Sequence, residues 1–185
     1  LIAWSIEASL KSKYIKRTIV SSDDALILNV SKKFGAETIQ RPKHLAQDNS
    51  PTPPVLVHVL EQLNAKERYV PDIFVLLQPT SPLRANNDID SALALMLNKN
   101  TASAVMSVYE PSHHPFKSLK YNANGYLRGI VNNNYLFMPR QNLPRGFTAN
   151  GAIYAIYTKN FLKNHCLLTR KTLPFVMPAK KSVDI

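Results

Sequence analysis

The chain has 185 residues, 45% of them hydrophobic, enough for one substantial core and a single domain. Lysine and arginine outnumber aspartate and glutamate by 23 to 12, a formal charge of +11 that points to an anionic partner, yet the basic residues are dispersed, without the aromatic interleaving or helix-turn-helix that would make nucleic acid the expectation. No apolar run approaches a membrane span, no stretch reads as a signal peptide or lipidation motif, and the single cysteine, Cys166, excludes an internal disulfide and a multi-cysteine zinc site, so the expectation is a cytoplasmic protein with no membrane partner.

Ile2, Ile6 and Leu10 recur four apart, which predicts an amphipathic helix at the start of the chain. Arg17 to Ser21 reads as a strand. Ser22-Asp23-Asp24 then supplies a cap and an acidic first turn for a helix carrying Leu26, Ile27, Val30 and Phe34, and Gly35 ends it. Glu37 to Gln40 predicts another strand and Arg41 to Pro51 a polar loop. Pro53-Pro54 fit the first turn of a helix that Ser50 or Thr52 would cap. Ile73 to Leu77 is a continuous apolar run, the pattern of a central strand covered on both faces. Pro79 to Arg84 turns, Asp88 to Asn98 is helical, and Ala102 to Tyr109 is a strand, so three β-turn-α units in a row predict an α/β fold.

After Glu110 the rhythm changes. A loop containing His113 and His114 leads to Leu119 to Val131, where Asn124-Gly125 predicts a two-residue hairpin turn. Gly151 to Tyr157 returns as a strand, Phe161 and Leu162 sit on a short helix, and Pro174 to Met177 and Ser182 to Ile185 close the chain as strands or extended segments.

In an open parallel sheet, ligands lie beyond the carboxyl ends of the strands, here the turns after Val20 and Leu77. Gln78 to Arg84 is dense in donors and stiffened by two prolines, and the Gln78 amide has the donor and acceptor needed to read a pyrimidine or a sugar. Arg41, Lys117 and Arg140 fall in loops where cations grip carboxylate or phosphate oxygens. Asp184 offers one hard carboxylate for magnesium. Adjacent His113 and His114 point apart in an extended chain, which argues against a two-histidine metal site. The absence of a Ser-His-Asp ordering and of a Gly-x-Gly turn counts against hydrolase and dinucleotide-oxidoreductase readings.

Leu1 to Ile6, Val20 to Asp24, Arg41-Pro42 with Leu45 to Asp48, LQPTSPLR (Leu77 to Arg84), HHPFK (His113 to Lys117), PRQNLPRGFTANGAIY (Pro139 to Tyr154) and SVDI (Ser182 to Ile185) together resemble the acylneuraminate cytidylyltransferases across the whole chain. The resemblance implies a Rossmann-like nucleotidyltransferase with a mostly parallel sheet and a small β-rich excursion, about residues 116 to 149, used for homodimerisation. It further implies that the anomeric hydroxyl of a nonulosonic acid attacks the α-phosphorus of CTP, with magnesium as the metal and pyrophosphate leaving.

Carried over by motif, Arg41 and Thr52 match nucleotide-side positions, and Gln78 lies between nucleotide and sugar. Lys117, Arg140 and Asn150 match polar groups of the acid site, Tyr154 belongs to the substrate-binding NGAIY segment, and Asp184 matches the first of two metal-binding aspartates. By the same resemblance a Gly-rich, lysine-containing triphosphate loop belongs before Leu1 and a second aspartate after Ile185, so the chain is expected to be a domain without those parts. A shortened, non-catalytic relative that binds CTP and a sugar acid is the alternative. Thr148 stands where sialic acid enzymes of the family often carry arginine, which leaves a legionaminic or pseudaminic acceptor open, whereas LQPTSPLR and HHPFK argue against the branch acting on the eight-carbon acid of lipopolysaccharide.

Overall fold

A computed structural model describes residues 1–185. The first half holds α1 (Ile2–Leu10), β1 (Ile19–Ser22), α2 (Ala25–Lys33), β2 (Glu37–Gln40), α3 (Thr52–Glu67), β3 (Ile73–Leu76) and α4 (Asn86–Leu97). The second holds β4 (Ala104–Tyr109), the pair β5 (Leu119–Tyr121) and β6 (Leu127–Gly129), then β7 (Thr148–Tyr157), α5 (Thr158–Asn164) and β8 (Thr172–Val176).

Helix starts follow local chemistry. The Asp24 carboxylate accepts from the amides of Leu26 at 2.6 Å and Ile27 at 3.3 Å, fixing the start of α2 as its sequence predicts. At α4 the Asp88 carboxylate accepts from the Ala85 amide at 2.8 Å. The expected cap of α3 is absent: Pro51 takes that position without a side-chain bond, Thr52 is the first helical residue, and the Ser50 hydroxyl accepts from Gln47 N and donates to the His44 carbonyl. Prolines in the first turn, where amide donors have no helical partner to lose, make a side-chain cap less necessary.

Four strands form one sheet in the order β3-β7-β4-β8, with β7 antiparallel to both neighbours and β4 parallel to β8. β1 and β2 form a separate parallel pair. β3 is therefore not central but an edge of the four-stranded sheet. Its apolar run reflects coverage on two faces: Ile73, Val75 and Leu77 pack with the core under α4, built from Ile89, Ala92, Leu93 and Met96, whereas Phe74 packs with Leu60 and Phe161 on the other side. The Phe74 and Phe161 rings meet edge to face at 5.0 Å.

Ile6, Val20 and Ala36 form a third cluster that joins α1 to the β1–β2 pair. Arg17 ties that pair to α3, donating to Glu37 and Glu67 at 2.8 Å each. The Ser12 hydroxyl, bonded to Asp90 at 2.5 Å, links the end of α1 to α4.

Two local expectations change. The hairpin loop has three residues between Asn122 and Tyr126 rather than two: Gly125 N donates to Asn122 O at 3.1 Å, and Gly125 takes φ +80°, the arrangement of a turn followed by a left-handed glycine. Ser182 to Ile185 does not join a sheet. After a 3-10 turn at Ala179–Lys181, the Ile185 amide donates to the Thr80 carbonyl at 3.0 Å, so this segment straps onto the Pro79–Arg84 turn.

Candidate functional site

β3, β4 and β8 run in one direction and end at one edge of the sheet, where β7 begins. The turn after β3 is locked to β7. Arg84, only 5% exposed, donates to the carbonyls of Gln78 at 3.1 Å and Ala152 at 2.9 Å and to the Ser5 hydroxyl of α1. It has no carboxylate partner, and burial pushes its pKa down to about 10, so it stays charged at neutral pH. The fully buried Ser81 hydroxyl donates to the Asn150 carbonyl at 2.8 Å.

Gly151 has φ +72°, and a Cβ there would stand 2.5 Å from Gln78 Oε1 and 2.7 Å from Ser81 Oγ. LQPTSPLR and NGAIY thus interlock, and the missing side chain at Gly151 makes room for the Gln78 amide. That amide has no hydrogen-bond partner within the chain, which leaves its donors and acceptor for a ligand.

Tyr154 and Asp184 both approach this turn, Asp184 through the Ile185 amide bonded to the Thr80 carbonyl and the Tyr154 phenol through Gly151. Burial, and then the Asp184 charge, raise the Tyr154 phenol above its ordinary pKa, against a backbone hydrogen bond from Gly151 that acts the other way. Asp184 is exposed and makes no ion pair within the chain. No group of three histidine, cysteine, aspartate or glutamate side chains is arranged to hold a metal. One hard, unpaired carboxylate fits magnesium, which is held by few protein ligands together with water and phosphate oxygens.

Asn150 departs from its expected role. It is 3% exposed, its Oδ1 accepts from the Ser107 hydroxyl at 2.6 Å and from Ala152 N at 3.2 Å, and its Nδ2 donates to the Ser182 hydroxyl at 2.9 Å. The side chain expected to meet the acid is turned inward and fastens the strap that carries Asp184.

Lys117 and Arg140 are brought together. With Ser112, His113, His114 and Ser118 they line a cavity of about 390 Å³ that has no hydrophobic lining residue. Arg140 is aimed by bonds to the carbonyls of Ser112 at 3.0 Å and Pro111 at 3.4 Å, and neither cation is paired with a carboxylate. Arg145 instead takes Glu110, and this bond holds the Glu110 carboxyl below its usual range, with a smaller contribution from Arg140.

The histidines serve the shape of this loop. His114 Nδ1 accepts from Phe116 N at 3.2 Å, which assigns the proton to Nε2 for donation to the Pro144 carbonyl at 3.1 Å.

Arg41 belongs to the β1–β2 side. Arg41 Nε donates to Ser21 Oγ at 3.3 Å at the end of β1, and Thr52 opens α3. Neither lines the cavity of about 340 Å³ between the loop at Pro42 to Leu45, α3 and His165. Sequence reasoning missed Arg84, Ser81 and Gly151 as the residues that set the Gln78 turn; the run of polar groups from Gln78 to Arg84 was the available signal for the first two, and Gly151, some seventy residues on, carried none.

Residues 1–169 match a family model described as cytidylyltransferase. The N-acylneuraminate cytidylyltransferase of Escherichia coli O18:K1:H7 is 27% identical over 185 residues, which is all of this chain and 42% of that protein. The CMP-N,N'-diacetyllegionaminic acid synthase of Legionella pneumophila is 27% identical over 189 residues, covering all of this chain and 79% of the relative. The chain thus spans less than half of the first of these proteins. Among solved structures, a CMP:2-keto-3-deoxy-manno-octonic acid synthetase complexed with CTP superposes with a TM-score of 0.63 over 95% of this chain and 79% of its own, at 18% identity, which shows the shared fold. The architecture is that of a Rossmann-like nucleotidyltransferase.

Proposed function

Because the chain belongs to the cytidylyltransferase family, we propose that it transfers the cytidylyl group of CTP to a nonulosonic acid of the sialic acid type. The observation that carries this reading is the grouping, at one turn, of an unpartnered Gln78 amide, Tyr154 and the unpaired Asp184 carboxylate, with the two free cations Lys117 and Arg140 in a polar cavity after β4. That set suits two anionic substrates that must be held together.

In this reading the anomeric oxygen of the acid forms a bond to the α-phosphorus of CTP as the bond to the β-phosphate breaks and pyrophosphate leaves; the hydroxyl proton passes to solvent. Lys117 and Arg140 hold the sugar carboxylate, Arg as a planar fork. Gln78 orients cytosine or sugar, and Arg41 with Thr52 faces the nucleotide. Tyr154, kept protonated by its surroundings, donates a hydrogen bond. Magnesium held by Asp184 would neutralise phosphate charge and favour ionisation of the attacking hydroxyl. Positioning and charge compensation then suffice without a side-chain base.

The excursion exposes Tyr121, Tyr126, Leu127 and Phe137, the last at 89%, and we assign it to a homodimer contact. Dependence on CTP fits a cytoplasmic site of action.

The test follows pyrophosphate release from CTP and magnesium with N-acetylneuraminic, legionaminic or pseudaminic acid. Release that requires one of the acids is expected, with Lys117→Ala raising KM for the acid by about tenfold or more while KM for CTP holds. CTP binding without release with any acid would instead identify a non-catalytic relative.

A further inference from the structure

The strap that carries Asp184 has no apolar anchor of its own. Met177, just after β8, is the last buried residue of the chain, whereas Val183 and Ile185 are exposed. Polar contacts therefore hold residues 178–185 to the rest of the fold. Two of them are the bonds of Ser182 to Asn150 and of the Ile185 amide to Thr80. The third is an ion pair, in which Lys181 Nζ donates to the two carboxylate oxygens of Asp88 at 3.0 and 3.1 Å.

This pair differs from the other ion pairs of the chain. The Asp88 side chain is 15% exposed, against 48% or 49% for the carboxylates of Glu37, Glu67 and Glu110, so water and salt screen it less. It sits in the first turn of α4, where the helix dipole favours a negative charge, and it also accepts from the Ala85 amide. α4 follows the Gln78–Arg84 turn directly, so one carboxylate fixes both the start of that helix and the strap beside the turn. The bond to Ala85 accounts for an acceptor at this position, and a side-chain amide would serve it as well. It does not account for a lysine ninety-three residues away that gives up its side-chain freedom to reach the same group.

We propose that Asp88 and Lys181 are positioning residues for Asp184: the pair pins one end of the strap to α4, the Ile185 amide pins the other to the turn, and Asp184 is held between them for a divalent cation. The proposal rests on the reading that Asp184 receives magnesium. Both side chains act through the backbone of the strap. Groups that orient a metal ligand without binding the ion weigh heavily on its affinity, because a carboxylate that must first be ordered binds more weakly.

The test is nitrogen-15 relaxation of the metal-free chain, followed by addition of manganese as the probe ion. In Lys181→Met, and in Asp88→Asn, which keeps an acceptor for the Ala85 amide, the order parameters of the Val183 and Asp184 amides should fall from about 0.85 to below about 0.6 while those of α4 hold. Manganese should broaden the Asp184 amide about tenfold less in either variant, and Lys181→Arg should restore both readings. The double variant should lose no more than either single one, since each removes the same contact. Three results would each overturn the pair: a strap as rigid in both variants as in the wild type, manganese broadening that is unchanged when the strap loosens, or losses that add in the double variant. Broadening absent from the wild-type chain would overturn the metal reading beneath the proposal, and the two failures are told apart because the order parameters need no metal.

Discussion

Gly151 shows how a single missing methyl group shapes the site. With φ +72° and no space between Gln78 and Ser81, Gly151→Ala combines a left-handed backbone penalty with a steric clash, and a loss of about 2 kcal/mol or more is expected in thermal unfolding. Its folded fraction should also turn over more slowly, because the new Cβ displaces the Gln78 amide; unchanged stability and rate would contradict the packing described. Tyr154 offers a second residue-level measurement. Its raised pKa means that its contribution to stability is present below about pH 10, the ordinary value, and is lost as pH climbs through the higher folded value. Asp184→Asn removes a charge that raises this pKa, so the phenol should titrate lower, as followed by NMR of carbon-13 tyrosine with Tyr154→Phe for assignment. No movement would separate Asp184 from the site.

At the scale of elements, α2 has little tertiary support and depends on its cap. Asp24→Ala should cost about 1 kcal/mol in urea unfolding, as the Leu26 and Ile27 amides lose their acceptor, while Asp24→Asn should cost less. This cap was readable in Ser22-Asp23-Asp24 because capping is local chemistry. The place of β3 was not: an apolar run reports that both faces are covered, as Ile73 and Phe74 show, but carries no information about how many strands pair alongside. Asn150 failed for a related reason. Its burial is created by Ser107 and Ser182, both distant in sequence, and NGAIY contains no trace of either. Lys117 and Arg140 were legible as loop cations, although only the folded loop shows that they share a cavity.

For the whole molecule, the proposed dimer makes a direct prediction. Analytical ultracentrifugation at micromolar concentration should show twice the chain mass, and Phe137→Asp should weaken association by about tenfold or more without disturbing the four-stranded sheet. A monomeric wild-type chain would remove the excursion from this role. The strap that binds Ile185 to Thr80 and Ser182 to Asn150 has a consequence in time. During translation Ala152 of β7, which locks the Gln78 turn through Arg84, leaves the ribosome roughly thirty residues before Asp184, about 2 to 6 seconds at ordinary synthesis rates. The nascent chain can therefore set this turn for that interval without the Asp184 carboxylate beside it, which arrives only with the strap.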